Sequence, residues 1–360
     1  MREKKDADPQ RKGENFGDGF SDGFVPLKSL DLSKCKTIDD IVRGMSLTAF
    51  GGREVGEAAD ALEKMVRDKS CFRVLTLSGA MTVAKMGLVI CDMIDCGMVD
   101  AVVSTGALMA HGFIEAAGMA HFKYDSHKMA DEELYQKGYD RVYDTLELES
   151  NLDGAENIIR AIYRTLPQGE ETCSWKINRL FGKFLSQNTK RSERGVLKSA
   201  YLNDVPVYIP AFTDSEFGLD FGIYRRRMKL DGKPPAKFNP FHDLEDYTAR
   251  VKAAKRLGIF TIGGGVPRNW AQQVGPYLDI INTRIGEGGA FKRFHYAVRI
   301  CPEPAHWGGL SGCTYSEGVS WGKFVPVSEG GVQVEVHSDA TIAWPFIVKA
   351  VMERLERRKI

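Results

Sequence analysis

Residues 72–109 read FRVLTLSGAMTVAKMGLVICDMIDCGMVDAVVSTGALM. VLTL (74–77) is a short apolar run ending in Ser78-Gly79-Ala80, and the apolar helical stretch TVAKMGLVICDMIDCG (82–97) follows it. DAVVS (100–104) repeats the pattern, ends in Thr105-Gly106-Ala107 and leads into another helical stretch. A strand, a small-residue turn and a helix, twice in succession, is the rhythm of a parallel sheet built from βαβ units.

The same rhythm continues outward. VPVYIPAFTD (205–214) reads as a strand ending at Asp214. GIFTIGGGVPRNWAQQV (258–274) runs strand, triple-glycine turn, helix. YLDIINTRI (277–285) and HYAVRICPE (295–303) are further strand candidates. VQVEVHS (332–338) is a strand, Asp339-Ala340 a turn, and the remainder a closing helix. Residues 121–150 are wetter and read as an insertion or hairpin over the sheet. Residues 1–22 are charged and glycine-containing and read as a flexible arm. The expectation is a single α/β domain over 23–360, Rossmann-like, with a largely parallel sheet and helices on both faces.

Bulk properties exclude several classes. Net charge is +1, without the clustered basic excess of a nucleic-acid binder. No apolar run approaches the ~20 residues of a membrane span. The polar N-terminus lacks the apolar core of a secretory signal. Seven scattered cysteines form no CxxC, and their odd number argues against a full disulfide framework, so a reducing, cytoplasmic setting is expected. The histidines show no pair with metal-ligand spacing in sequence, and no metal is expected.

In open parallel sheets, ligands lie beyond the carboxyl ends of the strands. Small or acidic residues stand at five such ends: Ser78-Gly79-Ala80, Ser104-Thr105-Gly106, Thr213-Asp214, Gly263-Gly264-Gly265 and Ser338-Asp339-Ala340. Each turn alone is an ordinary tight turn; five together suit a dinucleotide. EGVSWGKF (317–324) carries a carboxylate, an indole and an amine within seven residues. On a strand, Trp321 and Lys323 would share a face. Lys323 reads either as a solvated lysine or, in this charge-poor Gly/Ser/aromatic surround, as a desolvated amine able to attack a carbonyl or imine carbon. His111 would sit at a helix start facing the site, or serve as a surface residue.

LTLSGAM, DAVVSTGA, PAFTDSEFG, GGGVPRNW, WGGLSG, EGVSWGKF and HSDAT occur in the order seen in deoxyhypusine synthases, over roughly residues 25–355. The chain resembles that family, and most of all its bacterial deoxyhypusine-synthase-like branch. The resemblance implies an NAD-dependent transfer of an aminobutyl group from spermidine, through an imine on Lys323, to an acceptor amine. It implies NAD contacts at Gly79, Ala80, Met81, Thr105, Gly106, Asp214, Gly264, Asp339 and Ala340. Glu317 and Trp321 would line a polyamine slot, with His111, Asn269 and Gly309 as further substrate contacts. A homotetramer is implied as well. Several acids of the eukaryotic synthases are replaced: Ala110-His111 stand for a glutamate pair, Leu219 beside Asp220 for an aspartate, and Leu310 for another. Asn269 takes a histidine's place. These departures favour a small amine as acceptor, as in homospermidine-type synthesis. A lysine of a translation factor, or a non-catalytic subunit that binds NAD, are the alternatives.

Overall fold

The computed structural model describes residues 16–287 and 289–357; most of the expected arm, residues 1–15, lies outside them. Six strands form one sheet: β1 Cys71–Leu77, β2 Ala101–Ser104, β3 Val207–Tyr208, β4 Arg256–Ile262, β5 Phe294–Ile300 and β6 Val332–Val336. The order across the sheet is β6-β5-β4-β1-β2-β3, and all five pairings are parallel. This is the doubly wound order, whose topological switch point lies between β1 and β4.

Alternation along β4 explains the two cores. Leu257 and Ile259 point to one side and Phe260 and Ile262 to the other, because strand side chains alternate. Phe260 and Ile262 pack with the helices Phe50–Arg67, Gly87–Asp95, Gly106–Ala116 and Ala340–Glu356. Leu257 and Ile259 pack with Tyr247, Ala271, Leu278 and Tyr315 from the helices of the opposite face. The α/β reading with helices on both faces therefore holds. The closing helix is locked down by Arg354, whose Nε reaches Asp39 Oδ1 at 2.5 Å and whose Nη1 reaches Asp60 Oδ1 at 2.7 Å.

Four local expectations need correction. The helix after β1 begins at Gly87 rather than near residue 82, because the chain turns through Lys85 at φ +62° before the helix starts. YLDIINTRI is not a strand: it lies within the helix Val274–Ile285, which buries Val274 and Leu278 at i, i+4 spacing. A short apolar run does not by itself separate the two periods. The strand expected to end at Asp214 is the two-residue edge β3. Pro206 and Pro210 flank it, and neither has an N–H to donate to a ladder. EGVSWGKF is not extended either: Tyr315–Ser320 is a short helix, Trp321 closes it, and Gly322 turns at φ +69°. Residues 121–150 do form a hairpin, in a three-stranded antiparallel sheet of Phe122–Lys123, Tyr139–Val142 and Thr145–Leu148.

Candidate active site

At the switch point the turns after β1 and β4 are bound together. Ser78 Oγ donates to the Ile262 carbonyl at 3.0 Å and accepts from Gly264 N at 3.0 Å. A Cβ on Gly264 would stand 1.8 Å from the Ser311 carbonyl oxygen, so the backbone of 311 can approach only because residue 264 is glycine. The next two turns also meet. A Cβ on Gly106 would lie 2.4 Å from Ser215 Cβ, which brings the segment of Asp214 against Thr105-Gly106. Ala80 and Met81 share a cavity of about 470 Å³ with Asp339, Thr341 and the hairpin residues Val142–Thr145. Two pairs of the expected cofactor turns thus touch, and Ala80, Met81 and Asp339 line one cavity, all along one edge of the sheet.

The helix ends at that edge differ. Those starting at Gly106 and Gly265 have no side-chain cap, so their first N–H groups are available to an anion. Ser215 and Asp339 cap theirs. Glycine-bearing turns at the switch point and two uncapped helix N-termini fit a dinucleotide.

Lys323 is 7% exposed. Its backbone lies beside the amino end of β5: Phe294 N donates to the Lys323 carbonyl at 2.9 Å, and Phe324 bridges Phe294. From there the side chain reaches the helix that follows the triple glycine, where Nζ donates to Asn269 Oδ1 at 3.0 Å. Burial pushes the ammonium toward its neutral form; Arg268 adds to this, while Cys313 and Glu317 oppose it. Asn269 is exposed, so the amine ends near the surface. Trp321 is 64% exposed, and Glu317 is exposed as well.

One expected substrate contact is placed differently. His111 is the sixth residue of its helix rather than its start. Its Nδ1 lies 3.3 Å from Glu147 Oε2, and its Nε2 lies 3.9 Å from Glu216 Oε1. Gly309 belongs to an exposed turn, at φ +62°, with nothing near the position of a Cβ.

Sequence reasoning missed a buried polar layer beneath the triple glycine. Thr76 Oγ1 donates to Thr261 Oγ1 at 2.9 Å. Arg299 donates from Nε to the Gly263 carbonyl and from Nη2 to the Ser311 carbonyl, both at 2.9 Å, holding the two loops in place. Arg268, next to Asn269, is buried against the Tyr315 ring. A polar residue recurring inside an apolar strand, as in VLTL, FTI and YAVRI, was the available signal.

The sequence model of the deoxyhypusine synthase family matches residues 40–351. The chain is 36% identical over 331 residues to "Probable deoxyhypusine synthase 2" of Methanosarcina acetivorans, covering 91% of this chain and 90% of that one. It is 31% identical over 330 residues to "Deoxyhypusine synthase-like protein" of Elusimicrobium minutum, covering 89% and 82%. A crystal structure of an Entamoeba histolytica protein assigned as a deoxyhypusine synthase superposes with a TM-score of 0.57 at 14% identity, over 91% of this chain and 97% of that one; this likeness is one of fold. On the family match and the extended identity to its relatives, the chain belongs to the deoxyhypusine synthase family.

Proposed function

We propose that this chain transfers an aminobutyl group from spermidine, through an imine on Lys323, to a small acceptor amine, with NAD as its cofactor. The observation that carries the reading is the amine of Lys323: buried, hydrogen-bonded to a neutral amide, and pushed toward its uncharged form. An uncharged amine has the lone pair that adds to a carbon–nitrogen double bond.

NAD supplies acceptance of a hydride from the donor amine and its return at the end. The turns after β1, β2 and β4 would hold it, together with Asp214 and Asp339-Ala340. Lys323 Nζ adds to the oxidised donor carbon, a new C–N bond forms, and the old one breaks with release of diaminopropane. Asn269 Oδ1 accepts one N–H of the amine and so orients its lone pair. Glu317, close enough to act on the Lys323 charge, offers a carboxylate to a substrate ammonium. Trp321 offers an indole face to the alkyl chain or cation. The acceptor amine then adds to the same carbon and frees Lys323.

Leu219 and Leu310, which stand where eukaryotic synthases carry acids, are 65% and 78% exposed, and this favours an acceptor with fewer positive charges to satisfy. The identity to archaeal relatives named deoxyhypusine synthase favours a second acceptor, a lysine on a protein. Both readings share the Lys323 step. Borohydride added during turnover with NAD and spermidine tests it: the expected result is a butylamine-sized mass increment on the Lys323 peptide. Absence of that adduct with spermidine and every other amine donor overturns the reading. Product analysis with a panel of small amines, set against a lysine-bearing translation factor, separates the two acceptors.

A further inference from the structure

One group of side chains among the described residues has metal-ligand spacing: His111, His121 and Glu147, whose ligand atoms lie within 4.8 Å of one another. They are 10 and 36 residues from His111 in sequence, which is why no motif betrayed them. His111 comes from the helix after β2, His121 from the residue before the strand Phe122–Lys123, and Glu147 from the strand Thr145–Leu148. The His121 and Glu147 side chains are 0% and 1% exposed, and that of His111 is 15% exposed.

Glu147 is held so as to present one oxygen. Its Oε1 accepts from Asn151 Nδ2 at 2.9 Å and from Leu148 N at 3.2 Å. Its Oε2 is left to the rings, 3.3 Å from His111 Nδ1 and 2.5 Å from His121 Nε2. Beyond this contact the buried His121 Nε2 has no other partner among the described residues. Zinc bound at about 2.0–2.1 Å in a tetrahedral site sets its donors about 3.4 Å apart. The His111–Glu147 separation meets that already, and the His121–Glu147 separation needs to open by about 1 Å. Orientation of a ligating carboxylate by an amide and a backbone N–H is the usual supporting arrangement of such a site. The local charge also suits a cation. Glu115, Glu147 and Glu216 are opposed by Lys85, which pairs with Glu115 at 3.1 Å, and by whatever charge the two imidazoles carry.

We propose that His111 Nδ1, His121 Nε2 and Glu147 Oε2 bind a divalent ion of the zinc class, which staples the hairpin to the helix after β2. The hairpin residues Val142–Thr145 wall the cavity of Ala80 and Met81, so the staple fixes one side of that cavity. Lys85 competes with the ion. Its Nζ lies 2.9 Å from His121 Nδ1 and can only donate, which leaves the ring proton on Nε2. When the ion takes the Nε2 lone pair, the ring proton moves to Nδ1 and Lys85 keeps Glu115 as its partner. No electron transfer is involved, and the proposal stands apart from the Lys323 chemistry.

The test uses the full-length protein, stripped with chelator and titrated with Co²⁺ by visible absorption and with Zn²⁺ by elemental analysis after gel filtration. The expected result is one ion per chain, with ligand-field bands and no thiolate-to-cobalt absorption from the seven cysteines. Glu147→Gln weakens binding by about tenfold or more. Lys85→Met, at a half-exposed position, tightens it. Binding of less than about one ion per ten chains at micromolar Zn²⁺ overturns the proposal. So does a thiolate signature, or an affinity that neither substitution changes.

Discussion

Lys198 and Lys323 are both buried, at 5% and 7% exposed, and the fold treats their amines in opposite ways. Lys198 Nζ donates to Thr189 Oγ1 at 2.9 Å, to the Lys190 carbonyl at 2.6 Å and to the Glu193 carbonyl at 2.7 Å. Three donors meet three acceptors, and the side chain ties the helix Val196–Leu202 to the loop before it. Lys323 makes a single hydrogen bond among the described residues, to an amide oxygen, with the guanidinium of Arg268 working against its charge. Burial alone does not make a lysine nucleophilic. Burial that withholds acceptors removes the stabilisation of the ammonium and leaves the amine reactive.

Replacing Lys323 separates the two most sharply. Lys323→Met is expected to lower turnover by at least about 10³-fold, the scale on which loss of a nucleophile is read. It should leave folding intact. The sign of its pH effect follows from the lowered proton affinity in the fold. Between its lowered value in the fold and the ordinary lysine pKa the unfolded chain binds more protons at this position, so wild-type stability rises with pH across that interval. The methionine variant should lack that slope in denaturant titrations across pH. An identical slope would show that Lys323 is not desolvated.

Asn269→Asp makes Lys323 resemble a paired lysine. A carboxylate at this position favours the ammonium by about 1–3 pKa units. The acid limb of the pH–rate profile should move up by that amount, with a rate loss of about tenfold or more at neutral pH and partial recovery at high pH. A uniform loss at all pH values would assign Asn269 a purely geometric role.

Lys198→Met acts on the other side of the comparison. It strands two backbone carbonyls and a hydroxyl, and should cost about 1–3 kcal/mol in urea unfolding. The pH–rate profile should not move, because no reacting group changes. Thr189→Val removes one of the three acceptors and leaves the carbonyls. It should cost about 1 kcal/mol, the scale of one hydrogen bond. If Lys198→Met shifted the pH–rate profile, the contrast between the two lysines would fail.

How much of this was legible in the chain depends on the range of the interaction. The βαβ rhythm of 72–109 is written in neighbouring residues, and the sheet and its glycine-bearing turns appeared where expected. The run 277–285 was misread because a few apolar residues carry both periods, and burial of Val274 and Leu278 against the sheet decides for the helix. A strand would put Trp321 and Lys323 on one face. The turn at Gly322 instead sends the lysine inward and leaves the indole 64% exposed.

The sequence by itself determined the βαβ rhythm and the small residues at the strand ends, because these rest on local propensity and residue type. Tertiary structure alone decided that β1 lies beside β4, so that Ser78 and Gly264 meet across 186 residues. It also decided that Lys323 finds Asn269 and, among the described residues, no carboxylate within ion-pair distance, and that His111, His121 and Glu147 converge. Such encounters depend on which surfaces are buried against one another. That is settled when the whole chain packs, since desolvation and pairing act through space and leave no spacing in the sequence to read.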